Sequence, residues 1–496
     1  MTESRARVFA WGDLNAFFAL MLDNLTNLVV LMGILSAPPF SFPADFLLAR
    51  MVPGTALGVM VGDLIYTWMA VRLSRRTGRP ATAMPLGLDT PSTIGVAVAV
   101  IGPVYLEAKD PMVAWQVGMA TLVLIGLVKL LLSFFGDAIR RLVPQAGLLG
   151  SIAGVGVALL GFFPLAAVFR VPLVGMLALG ITLYALMARL RLPAGLPGAA
   201  VAVLAGTALY YALGLGGALE GFAPPVFDAR LTIPWPTLGF IDGMERALAY
   251  LPVAIPFGVL TIVGGINVNE SARVAGDEYR TRDILLTEAV ATILAGVCGG
   301  VAQSTPYIGH PAYKRMGARA GYTLATGLFV GLGGMFGLVS FITQALPLAA
   351  VAPVLIFIGQ EIVAQAFEVC PRGHYRAVVL AMLPSIAYLV LTQPGAHEPA
   401  VIALGNGFIL TAMLWGAFAA HLSDRRLLAS AGFLALCGLL SLFGLIHSVR
   451  PDGGLYLPWR EGSAMVWSLG GAYLLLAALA ALASRFPPRL EGEDGA

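Results

Sequence analysis

Long apolar segments, separated by short polar connections, follow one another along almost the whole chain. Crossing a bilayer with a hydrocarbon core of about 30 Å takes roughly 20 helical residues, and most of these segments reach that length. The pattern therefore predicts an all-α polytopic membrane protein. The sixteen predicted spans are residues 10–36, 49–73, 88–106, 111–136, 143–167, 170–189, 196–217, 246–270, 283–302, 309–325, 326–345, 347–368, 375–392, 398–421, 427–447 and 463–484.

The third and tenth predicted spans begin with polar stretches that contain prolines. These stretches read ATAMPLGLDTPSTIG (81–95) and VAQSTPYIGHPAYKRMG (301–317). Seven spans separate them, and an odd offset makes the two halves of the chain cross the membrane in opposite directions, as in an inverted-topology repeat. The segments before them, 54–64 and 291–302, are both rich in small residues. We therefore predict two inverted repeats of seven spans, followed by two extra C-terminal spans.

Each polar stretch contains the signals of an extended segment followed by a helix start. Asp89 or Thr90 can cap a helix that has Pro91 at its first position. In the second stretch, Gly309 or His310 precedes Pro311, which has the same role. A helix interrupted within hydrocarbon survives only where protein or a water-filled cavity lines it. We expect two helix N-termini that face each other near the midplane, where their partial positive charge suits an anionic or carbonyl-rich ligand.

Composition and charge agree with a membrane location. Hydrophobic residues make up 58% of the chain and charged residues 11%, against roughly 25% charged in a soluble domain. Of the 30 Lys and Arg residues, 22 lie on the side of the predicted N-terminus and seven on the other, which places both termini in the cytoplasm and the protein in the cell (inner) membrane. The net charge of +3 is too small to indicate nucleic-acid binding. The three cysteines lack metal-ligand spacing, so we expect neither a metal nor a cofactor.

These motifs resemble those of the nucleobase transporters that include bacterial uracil permease, and more closely the azaguanine/hypoxanthine permease branch. The stretch EAVATILAGVCGGVAQSTPYIGH (288–310) is similar to that branch's ninth span and the strand after it. PLGLDTPS (85–92) resembles its turn before the third helix, and APVLIFIG (352–359) its twelfth span. The resemblance implies a core domain that moves against a gate domain, with substrate between the third and tenth helices.

The domain boundaries that this resemblance implies divide each repeat in two. The last two spans have no counterpart in the family pattern. The predicted segments are 1–136 and 241–345 for the core domain, 137–220 and 346–422 for the gate domain, and 423–496 for the extra helical hairpin.

Both carboxylates with which this family typically binds its substrate are missing here. The position in the eighth span falls near Leu260 or Thr261, and the motif before the tenth helix reads YIGH (307–310). Acidic residues occur elsewhere, because Asp23 and Asp63 lie near the middle of the first two spans. A carboxylate inside a span is costly and by default marks a substrate, ion or proton site.

Asp23 and Asp89 could replace the missing carboxylates, with His310 as a proton-linked or substrate-contacting group near neutral pH. We predict that Asp23 and Asp63 couple transport to protons. The predicted substrate-binding residues are Asp23, Asn24, Asn27, Asp89, Thr90, Gln303, Ser304, Thr305, Tyr307 and His310.

Structural roles compete with each of these assignments. Asp89 as a helix cap, Asp23 as a hydrogen-bonding partner of Asn27, Asp63 at a helix crossing and His310 in a turn are the alternatives. Glu270, Glu288 and Lys129 are placed towards the cytoplasmic ends of their spans, where snorkelling or interfacial pairing explains them.

The leading hypothesis is a proton-coupled secondary transporter of a nucleobase-like purine or pyrimidine, a symporter that works by alternating access and forms a homodimer. The alternative keeps the fold and changes the cargo to a small organic or inorganic anion, which two positive helix ends without the family's carboxylates would suit better. Against a sulfate-permease version stands the short tail after Ser484, where such permeases usually carry a regulatory domain.

An intramembrane enzyme would use Asp23, Asp63 and His310 as acid–base groups. A channel is the other alternative. Repeated broken helices favour a carrier over both.

Overall fold

The computed structural model describes residues 9–135, 142–188, 190, 192, 198–219, 222–224, 231–307, 309–393, 395, 398–451 and 453–486, and these residues are mostly helical. The helices are α1 (Gly12–Ser36), α2 (Ala44–Thr77), α3 (Thr90–Ala108), α4 (Pro111–Leu132), α5 (Gln145–Arg170), α6 (Pro172–Met187), α7 (Gly198–Leu215), α8 (Leu251–Val274), α9 (Thr281–Val297), α10 (His310–Arg315), α11 (Gly321–Met335), α12 (Leu338–Ala345), α13 (Leu348–Val369), α14 (Tyr375–Leu391), α15 (Pro399–Gly405), α16 (Phe408–Ser423), α17 (Leu427–Leu442) and α18 (Ala464–Ala483). Two short strands, β1 (Leu86–Leu88) and β2 (Ser304–Pro306), form one sheet.

The multi-pass membrane character predicted from the sequence is confirmed. In the part of the chain that the structure describes, nine helices are long and apolar enough to cross a membrane, or twelve if each of three sharply bent helix pairs counts as one span. The helices coincide closely with most predicted spans.

The prediction of a single span at 309–325 is wrong. Helix α10 ends at Arg315, and Gly317 follows in the left-handed conformation, with φ of 78°. Helix α11 begins only at Gly321, and an 89° bend then separates it from α12. Apolar residues continue on both sides of these breaks, so hydropathy alone merges the pieces that glycine geometry separates.

Proline accounts for wide turns in three of the long helices. A turn with π-helical hydrogen bonding covers Leu47–Met51 in α2, Ala97–Ile101 in α3 and Gly156–Phe162 in α5. Two residues after each of these turns comes a proline, namely Pro53, Pro103 and Pro164. Proline lacks an N–H and its ring presses on the carbonyl of the preceding turn, and a locally widened turn relieves that contact.

The chain divides into two compact units. The first comprises Met1–Ile139 and Leu159–Ile358, and the second Arg140–Ala158 and Gly359–Ala496. The first contains α1 to α4, α6 to α12 and both strands; the second contains α14 to α18 and the start of α5. The predicted core and gate segments follow other boundaries and stay a prediction.

In the first unit, the two small-residue segments noted in the sequence pack directly against each other. A Cβ on Gly54 of α2 would lie 2.3 Å from the backbone nitrogen of Gly300, just after α9. One turn further along α2, a Cβ on Gly58 would lie 2.7 Å from the Cβ of Ala295. This small-xxx-small contact lets the backbones of α2 and α9 approach closely, which is how helices associate in lipid.

The second unit packs α14 and α16 against the first turns of α5. A core of small buried side chains lies between them, including Ala146, Ala377 and Ala420. Gly147 of α5 and Gly416 of α16 are so close that a Cβ on Gly416 would lie 2.6 Å from the Gly147 Cα. The two extra spans, α17 and α18, form a hairpin within this unit.

Candidate functional site

The two polar stretches of the sequence meet as an antiparallel strand pair in the first unit. Leu86 lies opposite Pro306, Gly87 opposite Thr305, and Leu88 opposite Ser304. Helix α3 begins two residues after β1, and α10 begins four residues after β2. The predicted pair of strands, each followed by a helix start, is therefore confirmed.

The ladder extends beyond the three paired residues of each strand. The Asp89 N–H donates to the Gln303 carbonyl at 3.0 Å, and the Tyr307 N–H donates to the Pro85 carbonyl at 2.9 Å. These bonds fix the start of α3 beside the residues that precede β2.

Side chains from neighbouring helices satisfy the outer edges of this sheet. The Asn24 Oδ1 of α1 accepts from the Leu88 N–H at 3.0 Å, and the Asn27 Nδ2 donates to the Leu88 carbonyl at 3.2 Å. On the edge of β2, the Lys129 ammonium donates to the Ser304 carbonyl at 2.8 Å. A two-stranded sheet exposes unpaired backbone groups on both edges, and in hydrocarbon each needs a protein partner. Asn24 and Asn27 therefore anchor β1 to α1.

Asp89 both caps α3 and contacts the second stretch. Its Oδ2 accepts from the Ser92 N–H at 2.9 Å, which is an N-cap bond. The Gln303 amide lies 3.4 Å from the same oxygen. The carboxylate consequently sits at the positive end of α3, where it offsets part of the helix dipole.

Lys129 and Glu288 form a fully buried ion pair beside β2. The Lys129 Nζ lies 2.6 Å from the Glu288 Oε1, and neither side chain is exposed. The same ammonium donates to the Gln303 Oε1 at 3.1 Å and to the Thr292 hydroxyl at 3.2 Å. The expectation that these two residues snorkel or pair at the interface is wrong, because helices α4 and α9 pack closely and enclose both.

Asp23, Tyr307 and Thr90 form a second polar cluster at the strand pair. The Tyr307 hydroxyl faces the side chains of Asp23 and Thr90, and the Asp23 Oδ2 is buried without a hydrogen-bond partner among the described residues. The Tyr307 ring lies over Gly87, where a Cβ would be 2.8 Å from two ring carbons. The Ser304 hydroxyl, on the neighbouring strand, is also buried and has no partner in the described part of the chain.

Asp63 is buried at the opposite end of the β1 edge. Its carboxyl faces the Leu86 backbone, but neither oxygen makes a hydrogen bond of normal geometry to a described residue. The close approach of Gly327 on α11, whose Cβ would lie 2.9 Å from that of Asp63, shows that α2 and α11 enclose this side chain.

His310 joins a different group of residues from the one predicted. Its Nε2 lies 3.2 Å from the Thr82 carbonyl and 3.3 Å from the Asp277 Oδ2. Lys314 lies 2.8 Å from the same carboxylate oxygen, and the Thr82 N–H donates to it at 3.2 Å. Asp277 was not expected from the sequence, and no local signal distinguishes it from an ordinary loop aspartate.

Asp277 lies in the loop between α8 and α9. Through these contacts it joins the segment before β1, at Thr82, to helix α10, at His310 and Lys314. Burial raises the pKa of this carboxyl, but hydrogen bonds from His310 and Lys314, with the charge of Lys314 and the Thr82 N–H, bring the pKa below its ordinary value.

No protein-family model matches the sequence, and no curated protein matches it. Among solved structures, the transmembrane domain of a cyanobacterium bicarbonate transporter, BicA, matches with a TM-score of 0.52 and 16% identity over 82% of this chain and 96% of that chain. The overall structure of SLC26A9 matches with a TM-score of 0.57 and 12% identity, over 84% of this chain and 66% of that one. The murine Solute Carrier 26 family member A9 anion transporter, in the inward-facing state, matches with a TM-score of 0.54 and 11% identity, over 86% and 70%.

These likenesses confirm the predicted fold, a 7+7 inverted-repeat transporter fold with two broken helices and short strands. They also show that the assignment to the nucleobase transporter family is wrong, since the matching structures are those of anion transporters. The motifs that suggested that family, 85–92 and 288–310, build the strand pair and the α2–α9 contact. They therefore serve the fold and do not by themselves identify the transporter family.

Proposed function

We propose that the protein is a secondary transporter that carries a small anion across the cell membrane by alternating access. The observation that carries the proposal is the β1–β2 pair, which joins two interrupted helices inside a membrane protein and surrounds them with polar side chains. Irregular backbone is tolerated in hydrocarbon where protein encloses it or where it lines a cavity, and in transporters interrupted helices of this kind form the substrate site. The solved structures with this fold include a bicarbonate transporter and an anion transporter, which favours an anion over other solutes.

The groups that favour an anion are the N-terminus of α3 and several hydrogen-bond donors. Helix α3 runs for 19 residues away from the strand pair, so its positive end lies at the site. Tyr307 and Ser304 supply hydroxyl groups there. Lys129 supplies a positive charge at the start of β2, where its ammonium donates to the Ser304 carbonyl and to the Gln303 side chain.

The carboxyl groups oppose an anion unless a cation enters with it. Asp23, Asp89 and Glu288 stand against the single ammonium of Lys129 in this part of the site. A carboxylate about 5 Å from a bound anion opposes binding by about 3 kcal/mol at an effective dielectric constant of 20, roughly a 200-fold loss of affinity. We therefore propose symport, in which Asp23 takes up a proton before or with the anion.

Asp23 suits this role better than the other carboxyl groups. Asp89 is committed to capping α3 and Glu288 to Lys129. The Asp23 carboxyl, by contrast, faces the Tyr307 hydroxyl and is committed neither to a helix cap nor to an ammonium group. Asp63 is a second candidate for the coupling proton, because its oxygens lack hydrogen bonds to described residues.

The remaining assignments complete the proposal. Segments 1–136 and 241–345 form a core that moves against the gate segments 137–220 and 346–422, both termini are cytoplasmic, and the protein is a homodimer in the membrane.

The test is uptake into proteoliposomes of bicarbonate, sulfate, chloride and small carboxylates, with and without an inward proton gradient. We expect saturable uptake of at least one anion, counterflow, and stimulation by the gradient. Asp23→Asn should bind the anion but lose the stimulation, since its side chain cannot change charge. Asp45→Asn, at an exposed aspartate, is the matched control. Uptake that does not saturate would indicate a pore, and the absence of any anion uptake would refute the proposal.

A further inference from the structure

An apolar groove runs along the whole length of α18 in the second unit. Its volume is about 800 Å³, and it is lined by residues of α14 to α18. On α18 the lining residues recur every three or four positions from Met465 to Ala483, so they occupy one face of that helix. At 1.5 Å per residue this face is about 27 Å long, close to the hydrocarbon thickness of a bilayer.

The polar side chains in the groove satisfy one another. The Trp415 Nε1 donates to the Tyr473 hydroxyl at 2.6 Å, and the same hydroxyl lies 2.7 Å from the His447 Nε2. The other ring nitrogen of His447 lies 3.0 Å from the Ala403 carbonyl. With these partners the cluster requires no polar ligand, and the rest of the lining is almost entirely aliphatic and aromatic. Hydrocarbon is therefore the material that fits the groove.

Three arginines are close in sequence to the residues that line one end of the groove. Leu422, Leu427 and Ala483 line that end. Arg425 and Arg426 lie between the first two, and Arg485 lies two residues beyond the third; all three are exposed, and none has a carboxylate partner among the described residues. At the other end of α18, Trp459 and Trp467 are exposed, as expected for side chains at a membrane–water interface.

We propose that this groove binds an anionic phospholipid, with an acyl chain along α18 and the phosphate at Arg425, Arg426 and Arg485. The groove is about as long as the hydrocarbon core of a bilayer is thick. It ends at three arginines and one carboxylate, that of Asp424, which pairs with His374, so it complements such a lipid in both shape and charge. A second copy of the chain fits less well. In a two-fold dimer about an axis along the membrane normal, the same patch faces itself, so the arginine clusters of the two copies would oppose each other.

The test is native mass spectrometry of the full-length protein with phosphatidylglycerol and phosphatidylcholine of identical acyl chains. Each basic residue near an anionic headgroup contributes roughly a fivefold gain in affinity, so we expect a preference of about 100-fold for phosphatidylglycerol. The variant Arg425→Gln/Arg426→Gln/Arg485→Gln should bind both lipids about equally. The control Arg75→Gln/Arg76→Gln, which removes exposed arginines at the end of α2, should keep the preference.

A second variant tests the groove itself. Ala472 lines the groove and is exposed, so Ala472→Trp fills it without displacing packed side chains and should weaken binding of both lipids at least tenfold. An unchanged thermal midpoint in lipid-free detergent will show that each variant is folded. Equal retention of the two lipids by the unmodified protein, or an unchanged preference in the triple arginine variant, would overturn the proposal. So would dimer dissociation by Ala472→Trp with lipid binding intact, which would assign the groove to a second copy.

Discussion

Replacing Lys129 by Met tests whether the first unit depends on its buried ion pair. Met keeps an apolar stem of the same four-atom length and lacks only the terminal nitrogen, so the substitution removes the ammonium and little else. Glu288 is then left fully buried without the cation that lies 2.6 Å away. The carbonyl of Ser304 loses its shorter hydrogen bond as well and keeps only the one from the Thr292 hydroxyl, at 3.4 Å.

The expected cost is several kcal/mol. Breaking a buried ion pair by removing one partner typically costs about 3–5 kcal/mol, and losing a hydrogen bond from a charged donor costs about 1.5–3 kcal/mol. Glu288 can take up a proton, which recovers part of the first cost, so we expect about 4 kcal/mol in total. The first unit comprises about 340 residues, for which an unfolding entropy of about 2.1 cal/mol/K per residue gives a shift of roughly 1.4 °C per kcal/mol. The thermal midpoint should therefore fall by roughly 6 °C.

A thiol-reactive dye provides the assay, because Cys298, Cys370 and Cys437 are all free and buried. Cys298 lies in the first unit and the other two in the second. In a Cys370→Ala/Cys437→Ala background, the dye therefore reports the opening of the first unit alone.

The double variant Lys129→Met/Glu288→Leu should recover most of the lost stability, since an apolar pair often replaces a buried ion pair at little cost. It should remain less stable than the parent protein because the Ser304 carbonyl still lacks the hydrogen bond from the ammonium. Lys109→Met, at an exposed lysine, is the control and should leave the midpoint unchanged. If Lys129→Met melts within about 2 °C of the parent, or the double variant is less stable than both single variants, the reasoning fails.

Two further predictions concern neighbouring parts of the site. Gly87→Ala should push the Tyr307 ring away from β1, at a cost of about 1–3 kcal/mol, and reduce the thermal stabilisation by a transported anion; Gly180→Ala, where a Cβ meets nothing within 4 Å, should do neither. Asp277→Asn should destabilise the protein by about 2 kcal/mol at neutral pH, because it weakens charged hydrogen bonds. Since the folded-state pKa of Asp277 lies below its ordinary value of 3.8, this contribution is present above that pH and is lost as pH falls below it. Thermal midpoints should therefore differ between parent and variant at pH 5–8 and converge below about pH 4; a difference that grows on acidification would contradict this.

The parts of this structure that follow from local chemistry could be predicted from the sequence. Apolar runs locate the spans, because burying a helix in lipid requires about 20 apolar residues regardless of its neighbours. The two strand–helix breaks are equally local. Asp89 before Pro91 marks a helix start, and the polar residues around Gln303 mark a backbone segment that needs protein partners.

The residues that complete the site could not be predicted because their partners are remote in sequence. Lys129 and the Ser304 carbonyl that it contacts are 175 residues apart. The sequence shows only the position of Lys129 along its own helix, whereas the burial of Lys129 depends on the packing of α4 against α9 and β2. Asp277 is similar, since its partner Thr82 lies 195 residues away.

The charge of the site constrains the proposed transport cycle. If Glu288 stays paired with Lys129 and Asp89 stays at the cap of α3, the charge of neither carboxyl group changes during the cycle. Asp23 then supplies the one charge that varies, and a single proton on it compensates a single negative charge on the cargo. Under the proposed coupling, a monovalent anion crosses without net charge, so its uptake should be insensitive to membrane voltage. A divalent anion with one proton would carry one negative charge, and its uptake should respond to voltage by about 2.3 kcal/mol per 100 mV. Voltage dependence measured for both kinds of anion would therefore count the coupling protons, and voltage-sensitive uptake of a monovalent anion would refute coupling by a single proton on Asp23.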